Sequence, residues 1–351
     1  MLKDYIKNRE KKLRNFELSI TDVPFPKSAL IELTSNCNHA CVFCNNPRMK
    51  RKSSKLDKHF FSEFILEASK LGLEEVGFYT TGEPLMRKDL IDFVSLSKSA
   101  GINYIYITTN GALAKIETLT SLIQAGLSSV KFSINAGTRE SYKMIHGKDD
   151  FEKVIKNLKN LRSYVDSNGL DVKILSSFVV TKQTIDEVEV YKNLVGPLVD
   201  DYSLVGVTGQ SGQSLTQLSL LECEMSPDFP KLGEAKPCGM LWNRLHLTQE
   251  GYLNLCCVDY ENELVYADLK KEKLSDAWNN SVISAMRERH LKQDLKGTLC
   301  HNCLYGEKQS IKPILDVEKI NKKSMQVEKG EKDVKYRIAT LSKAKNIIKE
   351  K

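Results

Sequence analysis

Four times between Ser28 and Thr208 a stretch of helical apolar spacing stops at a glycine and the chain enters a β-rich run. Gly72 precedes Val76-Gly77-Phe78-Tyr79, and Gly101 precedes Tyr104-Ile105-Tyr106-Ile107. Gly126 precedes Val130-Lys131-Phe132-Ser133-Ile134, and Gly169 precedes Val172-Lys173-Ile174-Leu175. Glycine one residue past a helix is the usual left-handed cap, so each join predicts helix, then strand. A first strand at Leu30 to Leu33 and a last near Tyr202 to Val207 complete six β/α units, and parallel strands linked by crossover helices follow. Six units do not close an eight-stranded barrel. The expected fold class is therefore α/β: an open, partial (β/α)6 barrel of parallel strands with its ligand at their carboxyl ends, followed by a small C-terminal α+β domain.

The chemistry-bearing residues lie at those strand ends. Cys37, Cys41 and Cys44 follow the first strand with C-x3-C-x2-C spacing. Three thiolates leave one iron of a 4Fe-4S cube open to a further ligand. A structural zinc ion takes four protein ligands, and a zinc knuckle completed by His39 is the alternative. Thr81-Gly82-Glu83-Pro84 follows the second strand, Thr109-Asn110 the third, and Ser133 and Asn135 the fourth.

The cysteine triad, with Phe43 just before Cys44, resembles the signature of the radical S-adenosylmethionine (SAM) superfamily. The resemblance implies that Cys37, Cys41 and Cys44 hold a catalytic 4Fe-4S cluster whose open iron chelates SAM. It further implies reductive cleavage of SAM to a 5'-deoxyadenosyl radical, with electrons from a flavodoxin or ferredoxin-type reductant. Thr81-Gly82-Glu83-Pro84 resembles the family's Gly-Gly-Glu-Pro motif, Thr81 replacing the first glycine, and would receive the amino group of SAM. Thr109, Asn110, Ser133, Asn135 and, more remotely, Ser177 would meet its carboxylate and ribose, and Phe43 its adenine. Turn chemistry explains Thr109, Asn110, Ser133 and Asn135 equally well.

Beyond Thr208, Cys238 and Cys256 fit the two arms of a hairpin, and Cys300-His301-Asn302-Cys303 has metal-knuckle spacing. The set resembles the SPASM and twitch extensions of radical SAM enzymes, which implies one auxiliary 4Fe-4S cluster on Cys238, Cys256, Cys300 and Cys303. No cysteine follows Cys303. Cys257 is the substitute for Cys256, Cys223 reads as an inert thiol, and zinc on the same four cysteines is the alternative.

The expected organisation is a basic N-terminal helix at 1–27, a radical SAM core at 28–208, a linker at 209–236, an auxiliary-cluster domain at 237–307 and a basic tail at 308–351. Within it Leu274 to Leu291 reads as one packing helix. The tail holds thirteen Lys and Arg against six Asp and Glu and so carries all of the net charge of +7. The near-neutral body argues against a nucleic-acid partner, although a zinc-dependent nucleic-acid-binding scaffold is the reading of another class. With no run long enough for a signal peptide or membrane span, nine cysteines point to metal ligation in the reducing cytoplasm. The expected substrate is a small sugar-like metabolite, and a ribosomal peptide is the alternative.

Overall fold

A computed structural model describes residues 18–318, 321–322 and 324–349; the helix expected at residues 1–17 lies outside them. Six strands, β1 (Ser28–Ile31), β2 (Glu75–Phe78), β3 (Tyr104–Thr109), β4 (Ser129–Ser133), β5 (Lys173–Val180) and β6 (Asp201–Gly206), pair in parallel and in sequence order. Gly72, Gly101, Gly126 and Gly169 all have positive φ, as the helix-to-strand joins require. Helices cover one face. Phe61 and Phe64 of the helix Lys58–Lys70 pack with Phe78 of β2 and Phe93 of the helix Leu90–Ser99, with Phe61 ring centroids 5.0 to 6.2 Å from the other three. Each such fully buried ring contributes about 2 to 3 kcal/mol.

The small domain extends this sheet. Strand β7 (Arg244–Leu247) lies parallel beside β1, and β8 (Tyr252–Asn254) and β9 (Val265–Asp268) continue antiparallel beyond it. Burial on the helix-covered face explains the register: Ala29, Ile31, Leu245 and Leu247 enter the main core, while Leu30 and His246 fall on the other face.

Two expectations change. The Leu274 to Leu291 stretch forms two helices, Leu274–Ala277 and Ser281–Lys292, because the Asn280 side chain accepts from Val282 N (3.0 Å) and Ile283 N (3.1 Å) and starts a new one. The segment 209–236 is not a slack connection: it carries the helix Leu215–Leu221 and buries Ser211, Ser214 and Gln217. The basic tail contains the helix Ser324–Lys349, whose Val334, Ile338 and Leu341 are buried against Val42, Phe43 and Ile145.

Candidate active site

The three-cysteine loop has no regular helix or strand of its own, so its backbone polar groups must be met from elsewhere. Ala40 N and Val42 N donate to His146 O and Ile145 O, both at 2.9 Å. The Arg337 guanidinium of the last helix donates to Ala40 O and to Met144 O (3.0 Å). Gly330 of that helix lies against Pro47 O, where a Cβ would come within 2.2 Å, so only glycine allows the approach. On the far side Gly82 packs under Thr34 O and Asn36 O, where a Cβ would meet oxygen at 2.3 and 2.7 Å. The motif glycine is thus demanded by the cysteine loop itself.

Cys37, Cys41 and Cys44 lie near enough to perturb one another electrostatically. Burial pushes the Cys37 thiol up to about 12 and the Cys41 and Cys44 thiols up as well. These are neutral, soft donors with little cationic support, the kind that a metal rather than a base converts to thiolates. Around them stand His39, singled out above as a possible zinc ligand, and His146, which the sequence did not single out. His146 Nδ1 lies 3.4 Å from Cys41 Sγ and 3.1 Å from His39 Nδ1, while its Nε2 donates to Ile134 O at 2.8 Å. Burial holds His146 neutral, down to about 3. His39 reaches Asp150 Oδ2 through Nε2 at 3.2 Å, which makes it a support of the loop.

Glu83 joins the second and third strand ends. Its carboxylate accepts from Thr109 Oγ1 (2.7 Å), Asn110 N (2.8 Å) and Leu85 N (3.1 Å). Burial raises its pKa to about 7 against those three donors. A carboxylate offers about four acceptor positions, so one remains for an incoming ammonium. Thr81 takes the place of a glycine by giving its hydroxyl to Glu32, whose carboxylate also accepts from Arg51 Nη1 (2.9 Å) and Nη2 (2.7 Å). Arg51 also binds Glu250 in the β7–β8 turn at 2.8 Å. Burial alone would lower Arg51, but the two carboxylates outweigh it and raise it further.

The other predicted contacts divide. Asn110 Nδ2 donates to Asn38 Oδ1 at 2.8 Å, and Pro84 opens a short 3-10 turn. Ser133 and Ser177 are register partners with hydroxyls 3.5 Å apart on the uncovered face. Asn135, at φ 56°, accepts from Val179 N at 2.9 Å and so bonds β5. Phe43 is buried with Val42 and Ile145.

The second cysteine set assembles beneath the hairpin. Cys238, Cys256, Cys300 and Cys303 are near enough to perturb one another. Burial pushes Cys238 up to about 11. Cys300 and Cys303 sit one turn apart on the helix Leu299–Tyr305, capped by Thr298. Cys257 packs with Leu30, Tyr104 and Tyr106. Cys223 Sγ lies 3.5 Å from Val180 O. Among the described residues no three His, Cys, Asp or Glu side chains close on one point as ligands of a single ion would.

Asp259 shapes the turn after Cys256: Oδ2 accepts from Asn254 Nδ2 (2.9 Å) and Leu264 N (2.7 Å), and Oδ1 from Gln213 Nε2 (3.2 Å). Segment 209–236 bridges the two sets. Ser211 Oγ lies 3.0 Å from Cys256 Sγ, Gln210 Oε1 accepts from Asn45 N at 2.9 Å, and Ser214 Oγ accepts from Arg48 Nη2 at 2.7 Å. Tyr260 OH is 3.2 Å from Cys44 Sγ.

Comparison with known proteins agrees with this geometry. Residues 31–195 match the radical SAM superfamily and residues 238–304 an iron-sulfur cluster-binding domain, SPASM; together they imply 4Fe-4S clusters. A probable GTP 3',8-cyclase of Saccharolobus solfataricus is 33% identical over 168 residues, 47% of this chain and 52% of that protein. The chain thus spans about half the length of the curated relatives it matches. BtrN in complex with AdoMet and 2-DOIA superposes with a TM-score of 0.53 at 18% identity, over 79% of this chain and 92% of that one. Streptococcus suis SuiB bound to precursor peptide SuiA gives 0.60 at 16% identity, over 75% of this chain and 67% of that one.

Proposed function

This chain belongs to the radical SAM superfamily and carries a SPASM iron-sulfur domain, and from that premise we propose that it oxidises a small, sugar-like metabolite. When bound, a reduced 4Fe-4S cluster with SAM supplies one electron to the sulfonium and thereby a 5'-deoxyadenosyl radical that removes hydrogen from carbon. Cys37, Cys41 and Cys44 would hold that cluster. The fourth acceptor position of Glu83 would take the amino group of SAM, and Ser133 and Ser177 its ribose. Cys238, Cys256, Cys300 and Cys303 would hold one auxiliary cluster able to receive the second electron of an oxidation. A flavodoxin or ferredoxin-type protein would supply the first electron.

The observation that carries the substrate reading is the uncovered face of the sheet below Ser133 and Ser177. There Thr108 and Lys131 share a row, above Tyr106 and Ser129. Alternation places these side chains on the face opposite Val130 and Phe132, which lie in the main core. A partly buried surface rich in hydroxyls, with Lys131 and Lys173 along its rows, suits a polyhydroxylated molecule. BtrN, which was solved with 2-DOIA, supports the small-molecule reading. SuiB, solved with a precursor peptide, supports the second reading, peptide modification.

Anaerobic incubation with SAM, a reductant and deuterated candidates separates the two. Deuterium passing from a polyol or amino sugar into 5'-deoxyadenosine supports the proposal, and transfer from peptides alone overturns it.

A further inference from the structure

The radical SAM reading assigns Cys44 to the catalytic cluster but gives no task to Tyr260, a small-domain side chain that touches it. Tyr260 is 2% exposed, and its phenol oxygen lies 3.2 Å from Cys44 Sγ, within the reach of an O–H to sulfur hydrogen bond. Its backbone is fixed from both halves of the molecule: Tyr260 N donates to Gln213 Oε1 at 3.1 Å, and Tyr260 O accepts from Arg51 Nε at 3.0 Å. The phenol is therefore aimed, not merely nearby. Cys44 Sγ has a second, longer donor, Asn46 N at 3.4 Å. Tyr260 also stands four residues past Cys256, inside the turn that Asp259 shapes.

We propose that Tyr260 is a positioning residue of the small domain that sets the reduction potential of the catalytic cluster by donating its phenol hydrogen to Cys44 Sγ. Hydrogen bonds to ligand sulfurs are among the terms that set an iron-sulfur potential. A donor aimed at a thiolate withdraws electron density and favours the reduced, more negative cluster. The small domain, anchored through Cys256 on its own cluster, would thus make the catalytic cluster easier to reduce only once it is assembled. The inference rests on the reading that Cys37, Cys41 and Cys44 hold a cluster.

The test is an anaerobic redox titration of reconstituted wild type and Tyr260→Phe, read by EPR, with the catalytic cluster identified as the signal that changes when SAM is added. Tyr260→Phe keeps the ring and removes only the donor. At the wild-type midpoint the reduced-to-oxidised ratio of the catalytic signal falls about tenfold, which is 59 mV for a one-electron couple. The auxiliary signal, iron content and far-UV CD stay unchanged. Ser211→Ala, which removes the hydroxyl 3.0 Å from Cys256 Sγ, gives the reciprocal result and moves the auxiliary signal alone. An unmoved catalytic midpoint overturns the inference. So does a Tyr260→Phe protein that loses iron or shifts both signals together, since that is what a packing role would produce. A wild-type protein with no SAM-responsive signal would overturn the cluster reading itself, and this inference with it.

Discussion

The two cysteine sets are built in opposite ways. The first three, proposed to hold the catalytic cluster, fall within eight residues but are contacted by side chains far away in sequence, through His146, Arg337 and Tyr260. The other four, proposed to hold an auxiliary cluster, are scattered from Cys238 to Cys303, yet their supports are mostly local: Thr298 caps the helix of Cys300 and Cys303, and Asp259 folds the turn after Cys256. A compact loop of thiols without regular secondary structure of its own takes its backbone partners from distant segments. A dispersed set is closed by the elements that carry its members.

The strongest way to break this comparison is at Arg51, which joins the two regions through Glu32 and Glu250. Arg51→Met strands the buried Glu32 carboxylate, and urea denaturation of the apo protein should show a loss of about 3 to 5 kcal/mol. The pH response of Glu83 comes next. Its folded pKa, about 7, lies above the ordinary value of 4.5, so the folded state holds the extra proton. Stability on this account is greatest below about pH 4.5 and falls as pH rises to about 7, by about 3 kcal/mol in all. Glu83→Gln should remove that slope. SAM binding, which the anion favours, should tighten through the same window in the wild type and not in the variant.

Arg337→Ala removes several bonds from a guanidinium to carbonyls of the cysteine loop and its neighbour. It should cost about 1 to 3 kcal/mol and speed the loss of iron to a chelator from the catalytic set alone. Thr298→Ala is the smallest change. Loss of its cap should cost about 1 kcal/mol and loosen only the auxiliary set, as seen in the same chelator assay.

What the sequence disclosed follows the same division. The glycine joins and the cysteine triad were legible because each is a local pattern: a cap, a turn, a spacing. Nothing in the spacing of Val334, Ile338 and Leu341 indicated that a helix of the tail would cover the cysteine loop. Tyr260, Arg337 and His146 carried no signal, since their roles exist only once segments more than a hundred residues apart have met. Asp259 could have been suspected from its place three residues after Cys256. The segment 209–236 looked like a linker because Ser, Gly and Gln compose flexible chains; here those same residues are the hydrogen-bonding bridge between the two sites.

Whether Cys37, Cys41 and Cys44 hold a cluster open to SAM is decided by anaerobic reductive cleavage. Reconstituted wild type given SAM and dithionite should release 5'-deoxyadenosine and methionine. The Cys37→Ala, Cys41→Ala, Cys44→Ala triple variant should release none while keeping about half of its iron, in the auxiliary set. Cleavage that persists in the triple variant would contradict the account.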